Sequence, residues 1–152
     1  MELKNFNEKK YGKEYKSHIL EQWKTAVEMS NAISERRTNM NNIFLTLNSI
    51  LIALITFQLE KKSLGYAAVG IVICIIWLIN LENYRKLNST KFRIINLLEK
   101  ELPANIFDYE WELVGRGNDG KKYKRMSNVE RWIPAIFILI YFVAILYPLL
   151  FK

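Results

Sequence analysis

Hydrophobic and polar positions are segregated along this chain into blocks. Ile43 to Leu59, Tyr66 to Leu81 and Trp132 to Phe151 contain no charged side chain, while the stretches around them are rich in charge. A helix that crosses a bilayer needs about 20 mainly apolar residues, with a range of roughly 17 to 25. The third block meets that length, the first sits at its lower limit and the second is short. Only "EKKSLG" separates the first two, so they read as a transmembrane hairpin rather than as buried helices of a soluble core.

Between the blocks the pattern changes period. From about Asn7 to Asn41 there is no proline and a single glycine, Gly12. Tyr11, Tyr15, Ile19, Trp23, Ala26, Val27 and Ile33 fall at spacings of three and four, which predicts one apolar helix face. Glu8, Glu14, Glu21, Glu28 and Glu35 recur at near-heptad intervals. That favours a protein neighbour over a membrane surface, where few acids are expected. After the second block, Tyr84, Leu87, Lys91, Ile94, Ile95 and Leu98 continue a helical period to Pro103, predicting one long helix that leaves the membrane. "FDYEWELV" and "KKYKRM" flank "GRGNDG", which reads as two extended segments joined by a turn. The expected architecture is an all-α membrane protein. It has an amino-terminal cytoplasmic helix (1–42), spans at 43–59, 66–81 and 132–151, a helical extension (82–102) and a small extended or hairpin cytoplasmic cap (103–131).

Charge sets the orientation. The 152 residues carry 22 Lys and Arg against 15 Asp and Glu, for a formal charge of +7. All but three of the basic residues lie before the first span or between the second and third; the exceptions are Lys61, Lys62 and Lys152. Basic residues resist translocation, so both termini are assigned: amino terminus in the cytoplasm, carboxyl terminus outside. "MELKNFNEKK" has no apolar stretch of the kind a cleavable signal peptide needs, so the first span is expected to direct its own insertion.

Candidate chemistry is sparse. Cys74 is the single cysteine, which excludes an intrachain disulfide and a cysteine zinc cluster. His18, the only histidine, sits in a charged helix without a recognisable catalytic partner. Gly115, Gly117 and Gly120 match G-x-G-x-x-G in form, but basic, aromatic "KKYKR" follows instead of an apolar helix, so a plain turn is expected. No enzyme, cofactor or metal is predicted.

Polar residues inside the apolar blocks are more telling. Thr46, Ser49, Ala53 and Thr56 share one helix face, and Ala67, Gly70 and Cys74 draw a similar stripe on the second span. Small stripes let backbones approach and hydroxyls bond across the contact; packing of the first two spans is one reading and the lining of a pore the other. Asn48 lies off the stripe, and its amide needs a partner in another helix, another subunit or a water-filled path. Arg36 and Arg37 fall at headgroup level, where they suit lipid phosphate, a phosphorylated ligand or acids such as Glu99 and Glu130. Asn39, Asn41 and Asn42 are poor helix formers, so their density suggests specific hydrogen bonds.

The strings "ISERRTNMNNIFLTLNS", "YRKLNSTKFRIINLLEKELP", "YEWELVGRG" and "VERWIPAIFILIY" resemble, in order and over about residues 15 to 147, the RipA-type small octameric bacterial membrane proteins. Some genomes place these beside anti-phage defence genes, including nucleotidyltransferase-like partners. The resemblance implies a homo-oligomeric ring in the cytoplasmic membrane, with a junction network at Arg36, Arg37, Asn41, Asn42, Glu99 and Glu130.

Two functions follow as expectations. One is a membrane effector, a tetrameric or octameric channel or disruptive pore opened or shut by a cytoplasmic nucleotide or oligonucleotide. Tyr84, Arg85, Lys91, Arg93, Lys122 and Lys124 would offer charge and stacking to that ligand, and Asn48, Thr46, Ser49 and Thr56 would line the pore or the contacts between copies. The other is a non-conducting scaffold or stress-adaptation protein, in which packing seals the same polar groups.

Overall fold

The computed structural model describes residues 3–57, 63–118, 123 and 126–150, and all regular structure among them is helical. In chain order the helices are α1 (Glu8–Tyr11), α2 (Tyr15–Phe57), α3 (Ser63–Glu99), α4 (Ile106–Leu113), α5 (Met126–Glu130) and α6 (Trp132–Leu150), with a 3-10 turn at Gly115–Gly117. α2, α3 and α6 belong to segments long and apolar enough to cross a membrane.

The absence of proline before Pro103 lets α2 run for 43 residues and α3 for 37. α3 stops just before Pro103, which cannot donate to the helix ladder and disfavours helical backbone in the residue before it. Pro134 is tolerated in the first turn of α6, where its missing N–H has no helical carbonyl to meet. Gly12 corrects the expectation of one unbroken amino-terminal helix. It closes α1 with φ of 100°, its N–H bonded to Glu8 O at 3.0 Å.

The chain divides into two compact units. An apolar unit combines Glu35–Lys86 with Lys124–Lys152, and a polar unit combines Met1–Ser34 with Leu87–Tyr123. α2 and α3 contribute to both.

In the apolar unit, Ile55, Ala67, Cys74 and Tyr141 form one buried cluster, with Leu51, Ile71, Phe137 and Ile145 packed around it. A second layer stacks Phe44 on Trp77, rings 5.6 Å apart and 9° from parallel, beside Leu81. Gly70 sets the spacing between α3 and α6: a Cβ there would lie 2.3 Å from the Tyr141 ring. Gly70 of that stripe thus receives α6 and Cys74 reaches Asn48 of α2, while Thr46, Ser49, Ala53 and Thr56 on α2 are exposed. Mutual packing of the two stripes is not what the bundle uses.

In the polar unit the expected apolar face of α2 finds its neighbour within the chain. Tyr15, Ile19 and Leu98 are buried together, with Trp23, Ala26, Ile94 and Leu102 against them. The extended cap is corrected to a helix over Ile106–Leu113. Acids alternate at 108, 110 and 112 as on a strand, but Phe107, Asp108, Trp111 and Val114, at spacings of three and four, are the half-buried positions. Phe107 packs on Trp23 (5.8 Å) and Phe92 (5.9 Å), and Trp111 meets Tyr123 edge-on at 6.0 Å. Glu99, 1% exposed, accepts from the Phe107 and Asp108 N–H groups at 3.1 and 3.3 Å, supplying the cap that Asn105 does not. Arg116, with φ of 52° between two glycines of positive φ, forms the turn that follows. Most of "KKYKRM", including Lys122 and Lys124, lies outside the described residues.

Candidate functional site

The polar centre of the apolar unit is built on Asn48. α2 carries it to a fully buried position, where its Oδ1 accepts from the Tyr141 hydroxyl at 2.8 Å and from the Cys74 thiol at 3.1 Å. Its Nδ2 donates to the Phe44 carbonyl one turn earlier at 2.7 Å. An amide in hydrocarbon is expensive unless its hydrogen-bonding groups are met, and here three helices of one chain meet them. Asn48 is therefore enclosed by its own protomer rather than presented to a lumen or a neighbouring copy. Asn41 is used in the same way, its Oδ1 accepting from Trp77 Nε1 at 2.9 Å. Asn42 contributes its backbone carbonyl, which accepts from Thr46 Oγ1 at 2.8 Å.

A layer of ion pairs closes one end of this bundle. Glu130 and Arg131 are adjacent in sequence but pair in opposite directions, Glu130 with Arg37 of α2 and Arg131 with Glu82 of α3. Glu82 also holds Arg85 at 2.7 Å and Lys86 at 3.8 Å. Arg37 and Glu130 are 16% and 22% exposed, so water screens them little. From this layer each helix runs about 20 residues to its far end, which at about 1.5 Å per residue matches the roughly 30 Å hydrocarbon core of a bilayer. That length fits a bilayer bordered at this layer, and Trp132 is exposed beside it, a residue type enriched at membrane interfaces.

The remaining junction candidates part company. Arg36 is exposed. Glu99 belongs to the α4 cap, with both carboxylate oxygens engaged by backbone N–H groups. Of the network expected from sequence, the structure pairs Arg37 with Glu130, while Asn41 is engaged by Trp77.

Thr46, Ser49 and Thr56 stand on the exposed side of α2, each hydroxyl donating to the carbonyl four residues earlier at 2.8, 2.8 and 2.9 Å. A hydroxyl so engaged keeps acceptor lone pairs facing outward. The same helix also exposes Ile43, Leu47, Ile50 and Leu54, so α2 presents a polar strip beside an apolar one.

Of the residues expected to meet a ligand, the structure describes Tyr84, Arg85, Lys91 and Arg93. Tyr84 and Lys91 are half-buried, with Lys91 Nζ 3.7 Å from Met29 Sδ. Arg85 is committed to Glu82. Arg93 is exposed, about 200° around the helix from Lys91 at 100° per residue.

A family model describing the octameric membrane protein family (8xMP) matches residues 20–150. This chain belongs to that family. It is accordingly a membrane protein that assembles with its own copies, as the family description and the three apolar helices together establish. Comparison with curated proteins and with solved structures gives no match.

Sequence reasoning missed Tyr141, Trp77, Glu82 and Arg131. Signals for each were present. Tyr141 is a hydroxyl in the middle of an uncharged span, Trp77 is a lone indole N–H five residues before its span meets a charge, and Glu82 and Arg131 each sit where a span meets its first charge.

Proposed function

We propose that the protein is the subunit of an oligomeric effector in the bacterial cytoplasmic membrane, amino terminus inside, which passes ions when an anionic cytoplasmic signal binds. The role is not enzymatic. The observation that carries this reading is the outward strip of Thr46, Ser49 and Thr56, whose unused lone pairs suit water or a passing cation better than lipid. In a ring of copies such a strip turned to the axis makes a polar lumen. The signal is a nucleotide or oligonucleotide from a partner nucleotidyltransferase, and the setting is anti-phage defence. Support for both comes from the likeness in sequence and from the net charge of +7. Cations repeated around a ring of copies give such a signal a positive field. Ligand contacts that differ between shut and open states then shift the population.

Purified protein in liposomes tests this. Ion flux above background that changes with added nucleotide, and falls in the triple variant Thr46→Val, Ser49→Ala, Thr56→Val, is the expected result. A second reading, the non-conducting scaffold, is favoured by the enclosure of Asn48 and by hydroxyls already satisfied on their own helix. Background flux under every nucleotide would select it.

A further inference from the structure

The polar unit exposes apolar side chains outside the helices that are long and apolar enough to cross a membrane. On α4, Ile106, Tyr109 and Leu113 are 60%, 63% and 60% exposed, and they share one face with exposed Glu110. The opposite face of α4, through Phe107 and Trp111, is already packed within the unit. A helix that is apolar on two faces in water is one whose second face is covered in the assembly. Its sequence carries three acids and no base, which suits poorly an anionic bilayer surface, where basic residues flank the apolar face.

The complementary surface lies on α3 and just past its end. Arg93, Leu97 and Lys100 fall within about 60° of one another around the helix, and all three are exposed, Leu97 at 41%. One patch is acidic and apolar, the other basic and apolar. Two different complementary patches on one chain make a head-to-tail contact, and head-to-tail contacts are what close a ring.

We infer that the α4 face of Ile106, Tyr109, Glu110 and Leu113 on one copy docks on the Arg93, Leu97 and Lys100 face of the next, forming the subunit contact of the ring outside the membrane. This contact stands whether or not the assembly conducts. It assigns Arg93 to assembly instead of to the ligand.

The test uses full-length protein in native membranes. Leu97→Cys and Leu113→Cys are carried on separate copies with tags of different length, both in a Cys74→Ala background, and are co-expressed and oxidised. A mixed disulfide band containing one copy of each is expected, and the double variant Leu97→Cys, Leu113→Cys should give a ladder of higher oligomers. In parallel, Glu110→Lys should shift the native mass in detergent from the full oligomer to smaller species, and adding Arg93→Glu should restore it. An oligomer of unchanged mass in Glu110→Lys, with no mixed disulfide, overturns the proposal. So does quenching of a fluorophore at position 113 by spin-labelled lipid, which would place α4 on the bilayer.

Discussion

The two units of this protein solve opposite problems with the same element, a pair of long helices. The apolar unit has a polar centre, where Cys74 and Tyr141 both bond Asn48, while Val69, Val72, Ile76, Ile136 and Leu139 face outward. In the polar unit Tyr15, Ile19 and Leu98 are inside and most charges are outside, yet Ile106, Tyr109 and Leu113 remain exposed. Outward apolar residues are ordinary where the surroundings are hydrocarbon, and uneconomical where they are water. The same exposure therefore means lipid in one unit and a protein partner in the other.

Substitutions can break that contrast one unit at a time. The largest effect is expected from Gly70→Val, whose side chain must displace the Tyr141 ring. A loss of about 3 kcal/mol or more in unfolding from mixed micelles is expected for such overpacking, with the polar unit's far-ultraviolet signal retained. Arg37→Ala leaves Glu130 without its guanidinium partner. The expected loss is about 2 kcal/mol, in the range for a charged hydrogen bond, and the paired exchange Arg37→Glu, Glu130→Arg should recover part of it.

Glu99→Ala tests the polar unit alone. It strips both acceptors from the start of α4, with an expected cost of about 1 kcal/mol, as for a lost helix cap. Faster hydrogen exchange at the Phe107 and Asp108 amides would report it while the spans stay protected. Tyr141→Phe removes one of two side-chain donors to Asn48. About 0.6 kcal/mol is expected, the average for a hydrogen bond between helices in a membrane, measured by the same micelle unfolding.

The smallest effect belongs to Lys4, whose hydrogen bond to Glu101 raises its pKa above the usual 10.5. A raised folded-state pKa stabilises fully below the unfolded value and is lost as pH climbs through the folded one. Lys4→Met should therefore matter at neutral pH and cease to matter in strong alkali, read as a difference in melting temperature between the two proteins.

The sequence made the spans legible because lipid imposes a crude requirement, long runs without charge, that block lengths reveal directly. Arg37 with Glu130 was foreseeable for a related reason: charges at a membrane border have few partners within reach. Which stripe meets which helix was not legible. Ala67, Gly70 and Cys74 fit α2 or α6 equally well on spacing, and the ring of Tyr141, 71 positions beyond Gly70, decides it. α4 was misread because acids at alternate positions imitate a strand, and the carboxylate that caps the helix lies outside the segment, at Glu99. The ligand site rests on the number of cations, and number does not report what each one holds: Arg85 is held by Glu82 and Lys91 lies beside Met29.

Cysteine accessibility across α2 in sealed proteoliposomes reaches the central claim most directly. Single cysteines at Thr46, Ser49 and Thr56 should react with a membrane-impermeant thiol reagent once the activating nucleotide is added, while native Cys74 and a cysteine at Ile50 stay unmodified. Equal silence at all five positions under every nucleotide, in protein shown to be inserted and oligomeric, would contradict the polar lumen, and reaction at Cys74 would contradict the sealed bundle around Asn48.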